Sequence, residues 1–291
     1  MKSLALVLAA AVALPAASAC RRKEAEPPPV ATPSVTLNHD RAPLGSPLDI
    51  TYKFVVAADA KFDEDYRVMA HVVDTDEEMI WNDDHIPPVP TRQWKPGQTI
   101  EYTRTIFVPV YQYVGETTIQ IGLYSTTTQK RLPLSGENVG QRAYRVARLQ
   151  LQPQTENLPS VLKEGWHPAE IAEHNTTVQW NWTKKDAIFS FRNPKKDCML
   201  YLELDNPGSV FRESQQVTLT LNGQPLDRFE VEPAKLQLKR IPMKADQLGT
   251  SDVVELGISV DKTYIPMQVT PESKDPRELG IRVFHVFVDP R

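Results

Sequence analysis

The 291-residue sequence predicts an all-β protein, two antiparallel sandwiches in tandem after a secretory leader and a proline-rich tether. Val, Thr, Tyr, Phe, Ile and Leu recur in short runs bounded by Pro, Gly, Asn and Asp, the pattern of strands joined by turns. Proline is abundant at 25 residues while helix signals are scarce, which argues against alternating β and α units. The runs fall in two blocks on either side of a segment that has little strand-like alternation.

Residues 1–19 read as a signal peptide: a lone Lys2, an uncharged run from Leu4 to Ala17, then Ala17-Ser18-Ala19 before Cys20. The run is short for a bilayer span, which takes roughly 20 apolar residues. Small residues directly before a cysteine resemble the bacterial lipobox. That resemblance implies cleavage before Cys20, diacylation of its sulfur and acylation of its new amino group. Arg21 in the next position resembles the outer-membrane class of enteric bacteria. Ala17-Ser18-Ala19 is also an ordinary A-x-A site, which would leave Cys20 as a free N-terminal thiol. Residues 20–33 follow as a tether of charges and then prolines, too polar to bury a core.

The balance of charge is mildly acidic, −4 for the whole chain, and it lacks the basic stripe of a nucleic-acid binder. With Cys20 assigned to lipid, Cys198 is the remaining cysteine and has no disulfide partner in the chain. It lies in CMLYLELD, where a small buried hydrophobe fits.

Residues 34–153 read as the first sandwich. SVTLNH, PLDITYKFVV and RVMAHVVD are its opening strands. QTIEYTRTIFV puts Ile100, Tyr102, Ile106 and Val108 on one face, which Arg104 interrupts. TTIQIGLYS alternates cleanly, with Ile119, Ile121 and Leu123 together. In RAYRVARLQLQP the phase slips between Val146 and Leu149, which calls for a β-bulge. About seven or eight strands in about 120 residues match an immunoglobulin-like sandwich.

The segment Asp74–Gly97, DTDEEMIWNDDHIPPVPTRQWKPG, followed by the VP…G…I-x-I-G-L-Y…RLPL pattern, resembles an Ig-like β-sandwich module of bacterial exported and envelope proteins. The resemblance implies a fold and no reaction. Asp74, Asp76, Asp83 and Asp84 form a dense acidic group with oxygen ligands that suit calcium. The spacing is not that of an EF-hand loop, and carboxylates at a hairpin tip also serve as plain solvated turn residues.

Residues 154–173 read as a connector, with one turn of helix over Pro168–Glu173. Residues 174–291 read as the second sandwich. Val178, Trp180 and Trp182 share one strand face. Asn222-Gly223 between two strand runs is a hairpin signal. Ile281–Val288 is apolar on both faces apart from Arg282 and His285, as a central strand would be. Gly165-Trp166…Glu170…Trp180-x-Trp182, then Leu-Asn222-Gly223, then Asp275-Pro276-Arg277-Glu278-Leu279-Gly280 is similar to a jelly-roll domain of galactose-binding-like type. Many domains of that fold bind sugars, so the resemblance implies a glycan ligand by analogy of fold.

Enzyme signatures are missing from the sequence: no G-x-S-x-G, H-E-x-x-H, P-loop or G-x-G-x-x-G. Candidate ligand-binding residues are Trp166, in a connector where an exposed ring is expected, Tyr264, Asp275 and Arg277. Trp180 and Trp182 read either as core packing or as sugar platforms, and Arg277 as a ligand contact or as a salt bridge tying the final turn. The reading is an outer-membrane lipoprotein of a bacterial envelope acting as a non-catalytic interaction or scaffold module, with no cofactor. Its partners are the membrane, through the lipid anchor, and an envelope protein. The alternative is a lipoprotein that binds envelope or extracellular glycan. A glycoside-active enzyme with paired carboxylates is a remote third.

Overall fold

The computed structural model describes residues 27–110 and 113–291. The signal peptide, Cys20 and the charged start of the tether lie outside the described residues. Among those described, no helix is long and apolar enough to cross a membrane.

The first sandwich is built from β1 (Ala31–Leu37), β2 (Arg41–Pro43), β3 (Pro47–Val56), β4 (Arg67–Val73), β5 (Met79–Asn82), β6 (Thr99–Phe107), β7 (Gly115–Tyr124), β8 (Glu137–Gly140) and β9 (Ala143–Gln152). One sheet has the order β1-β3-β6, and the other β2-β9-β7-β4-β5 with β8 paired to β9. The tether ends earlier than its prolines indicate. Ala31 already pairs with Val56, and Pro33 sits in β1 because β1 is an edge strand that tolerates a missing N–H.

Alternation packs Ile50, Tyr52 and Phe54 of β3 into one core with Ile119, Ile121 and Leu123 of β7, all at most 1% exposed. Burying such a side chain contributes about 1.5–3 kcal/mol. Arg104 does share the inward face of β6, and the structure shows how the charge is met. Its Nε and Nη2 donate to the two oxygens of Asp83 at 2.8 and 2.7 Å, and Tyr52 donates its hydroxyl to the same carboxylate at 2.8 Å. His85 lies beside this pair, its Nε2 2.7 Å from the Tyr102 hydroxyl, and burial holds its pKa below the ordinary histidine value. The expected bulge is in β9: Ile119 pairs with Ala147 and Gln120 with Arg145, leaving Val146 as the extra residue.

The second sandwich comprises β10 (Ser160–Leu162), β11 (Glu170–Ala172), β12 (Asn175–Trp182), β13 (Asp186–Arg192), β14 (Cys198–Asp205), β15 (Gln215–Leu221), β16 (Gln224–Val231), β17 (Gln237–Met243), β18 (Val253–Val260) and β19 (Arg282–Pro290). Its sheets run β10-β13-β18-β15-β16 and β11-β12-β19-β14-β17. Leu200, Leu202 and Leu204 of β14 share its core with Val217, Leu219 and Leu221 of β15. The β15–β16 hairpin turns through Asn222 and Gly223, both at positive φ (50° and 78°), as a two-residue turn matched to strand twist requires. Cys198 is buried, and burial pushes its thiol up to about 11.

The connector departs from expectation. No helix forms over Pro168–Glu173; β10 and β11 fall inside 154–173 and add an edge strand to each sheet of the second sandwich. Backbone pairing there outcompetes a single helical turn, which is costly to nucleate. Gly165 makes the pairing possible. It sits at φ +81°, its carbonyl accepts the Lys184 N–H at 2.7 Å, and an added Cβ would lie 1.9 Å from the Asp186 carbonyl oxygen.

The two sandwiches meet face to face. Arg240 donates to Asp49 at 2.6 Å and also to the Thr105 hydroxyl, while Phe107 stacks on His285 with ring centroids 3.9 Å apart. Tyr201 points away from its own core, since Leu200 and Leu202 point into it, yet is only 3% exposed.

Replacing Gly165 by Ala should cost at least about 3 kcal/mol, from the left-handed backbone and the steric clash together. Gly223→Ala, also at positive φ but facing open space, should cost about 1 kcal/mol. Urea unfolding of the two variants side by side checks the difference.

Candidate functional site

The site grows from strand register on the outward face of the β11-β12-β19-β14-β17 sheet. Leu204 and Val283 pair with each other and face the core. Their neighbours Asp205 and Arg282 therefore point outward, and Trp182 pairs with Arg282 on the same side. Alternation along β12 brings Trp180 to that side too. Trp180 and Trp182 thus lie outside the sandwich core. The sequence shows that they share a face, and only the pairing of β12 with β19 shows which face.

Arg282 forks onto Asp205 through Nε and Nη2 at 2.7 and 2.6 Å, and its guanidinium lies 5.0 Å from the Trp180 ring centre, 5.5 Å from Phe284 and 5.9 Å from Trp182. Such a cation over rings adds about 0.5–2 kcal/mol per contact. Trp180 and Phe284 lie 5.9 Å apart, and Trp180 Nε1 is a buried donor with no acceptor.

The loop 261–281 closes over the end of β12. A backbone pair between Tyr264 and Leu279, 2.9 and 2.8 Å, sets the Tyr264 ring edge-on to Trp182 at 5.9 Å and to Phe211 at 5.6 Å. Burial raises the Tyr264 phenol. Arg277 ties the loop down: Nε and Nη2 hold Asp275, at distances from 2.6 to 3.1 Å, and Nη2 also donates to Glu170 at 2.7 Å. Glu170 in turn accepts the Trp182 indole N–H at 3.3 Å. Tyr264, Asp275 and Arg277 therefore gather with Glu170, Trp180 and Trp182 in one patch.

Trp166 does not join them. It is half-buried against the second core and donates its ring N–H to Ile188 at 2.8 Å. Because the connector is drawn into the sheet, the exposed ring expected there is used for packing. Glu170, Asp205, Phe211, Arg282 and Phe284 complete the patch. Of these, Glu170, in the jelly-roll-like pattern, and Arg282, as a charge in an apolar strand, are conspicuous in the sequence.

The acidic segment does not converge. Asp74 accepts the N–H groups of Asp76 and Glu78 and so caps its own turn. Asp83 is taken by Arg104 and Tyr52, and Asp84 accepts the Ala70 N–H and lies 3.4 Å from His71. Asp76 is exposed on the turn. Among the described residues no group of three or more His, Cys, Asp or Glu is placed to hold a metal ion.

No known family model matches the chain, and no curated protein matches it. Solved structures give distant likenesses. One is a family GH115 4-O-methyl-α-glucuronidase with specificity for decorated arabinogalactans, at 14% identity over 50% of this chain and 20% of that one, TM-score 0.32. A second is a family 35 carbohydrate-binding module from an environmental isolate, at 9% identity over 46% of this chain and 97% of that one, TM-score 0.28. A third is a β-glucuronidase of Bacteroides uniformis, at 10% identity over 89% of this chain and 30% of that one, TM-score 0.31. The chain thus spans a fifth of the first enzyme and under a third of the second. Likeness at this distance carries no inference about ligand or activity.

The Arg277 guanidinium holds the Asp275 carboxyl down to about 2, below the ordinary value of about 3.9. A depressed carboxyl stabilises the fold above its unfolded value and loses that contribution as pH falls through the folded one. The gap in Tm between the native chain and Asp275→Asn should be full above about pH 4. It should close as pH falls towards about 2, in thermal melts read across that range.

Proposed function

We propose that the chain is a non-catalytic glycan-binding lipoprotein of a bacterial envelope, which recognises sugar through the outward face of its second sandwich. The observation that carries this reading is the grouping of Trp180, Phe284 and Tyr264, all half-buried, with Glu170, Asp275 and Arg277. Aromatic faces suit the apolar C–H faces of pyranose rings, and carboxylate and guanidinium groups beside them suit vicinal hydroxyls. The charges are already paired with one another, so the patch is ordered before ligand arrives. Both arginines, Arg277 and Arg282, are committed to carboxylates, which favours a neutral ligand over an anionic one.

Titration with a panel of envelope and extracellular polysaccharides tests the reading. Binding should weaken at least tenfold in Trp180→Ala and in Tyr264→Ala with the fold retained. Lack of binding at millimolar concentration, or affinity untouched by both substitutions, would remove it.

The anchor belongs to the same proposal. Two or three acyl chains on Cys20 would hold the chain to a bilayer almost permanently, where one chain would not. Cys20→Ser should move the protein from the membrane fraction to the soluble one, and intact mass of the native protein should show the added acyl groups.

A further inference from the structure

A cavity of about 440 Å³ opens where the first sandwich, the connector and the second sandwich meet, within the usual range of small-ligand sites. Its floor is apolar: Phe189 and Phe191 come from one sheet of the second sandwich, and Val286 and Val288 from the other. Its rim is uncharged but hydrogen-bonding, formed by Gln154, Thr155, Asn157 and Ser160. A second chamber of about 240 Å³ adjoins it, sharing Asn157, Leu158, Phe287 and Val288.

The walls are fixed without a ligand. Asn157 donates its side-chain amide to the Leu44 carbonyl at 2.8 Å, and Pro159 accepts the Arg192 N–H at 2.9 Å. In the smaller chamber Asp289 is half-buried, and its carboxylate accepts no hydrogen bond from a described residue. His39, Arg41 and Glu156 also line that chamber. Burial raises the Asp289 carboxyl above its ordinary value, against the opposing pull of His39, Arg291 and Lys196 nearby.

We propose that this two-chambered cleft binds a neutral saccharide, with one sugar ring against Phe287 in the larger chamber and a hydroxyl donating to Asp289 in the smaller. Amide and hydroxyl groups that both donate and accept match sugar hydroxyls, and the phenyl surfaces match the C–H face of a pyranose. In the smaller chamber Asp289 and Glu156 offset the basic His39 and Arg41, so its lining carries no clear excess of positive charge to draw an anion. A purely apolar ligand would leave the rim and Asp289 unsatisfied. This site is separate from the aromatic face and stands without it.

The test is titration of the whole chain with neutral di- and trisaccharides, followed by calorimetry and by backbone amide shifts. Shifts at Asn157, Phe287 and Asp289 are expected. Ser160→Trp, an exposed edge position whose new ring fills the cavity, should weaken cleft binding at least tenfold, and Asp289→Asn several-fold. Trp180→Ala should leave cleft binding unchanged. If Ser160→Trp does not fold, Phe287→Ala takes its place. Binding lost in Trp180→Ala alone would sink the cleft while sparing the aromatic face. Binding unaffected by Ser160→Trp and Asp289→Asn, or shifts absent from the cleft, would overturn it as well. Absence of any saccharide binding would overturn both readings.

Discussion

A single extra residue in β19 controls what the second sandwich shows to the outside. Leu204 pairs with Val283 and Glu203 with His285, so Phe284 is a bulge. In a regular strand Arg282 and His285, three residues apart, would lie on opposite faces. The bulge puts both outward, while Val283, Val286 and Val288 keep to the core side. Without it, either Arg282 would lose Asp205 or His285 would point into the sandwich. Outward residues of this one strand then serve the aromatic patch through Arg282 and Phe284, the contact with the first sandwich through His285, and the cleft through Phe287 and Asp289.

The electrostatics of the patch follow from the same geometry. Arg282 has given one bidentate edge, Nε and Nη2, to Asp205, a carboxylate only 10% exposed, and Arg277 is shared between Asp275 and Glu170. Breaking such a pair on one side leaves an uncompensated charge, which costs more than the intact pair contributes. These groups therefore present fixed dipoles and oxygens on the outward face.

The sequence carried much of the fold and less of the site. Alternation located most strands, the Asn222-Gly223 turn, a bulge in β9 and the central position of β19, because each is a local property of period and turn chemistry. Arg104 shows the limit. It was visible as a fault in an apolar face, but its answer, Asp83, arrives from a loop after β5. The same holds for Trp180 and Trp182, whose shared face was legible and whose direction needed the β12–β19 pairing. Connector residues misled because short segments take their structure from the sheet they join. Trp166 was packed by that joining, and the supposed turn of helix near Glu170 became an edge strand.

The contact between the sandwiches is modest in its parts. The Arg240–Asp49 pair is partly exposed, 40% and 21%, and a pair of that kind contributes about 0.2–1 kcal/mol. Stacking of Phe107 on His285 adds about 0.5–1.5 kcal/mol. Those terms alone would not hold two separate chains together, but the connector keeps the faces at high effective concentration. Asn157, bonded to Leu44 beside the cleft, ties the connector to the first sandwich. A ligand that touched the connector and both sandwiches would bind only the docked arrangement, and so would stabilise it by its full differential affinity. The contact and the cleft beside it are thus two aspects of one arrangement, in which docking shapes the cavity and occupancy of the cavity would secure the docking.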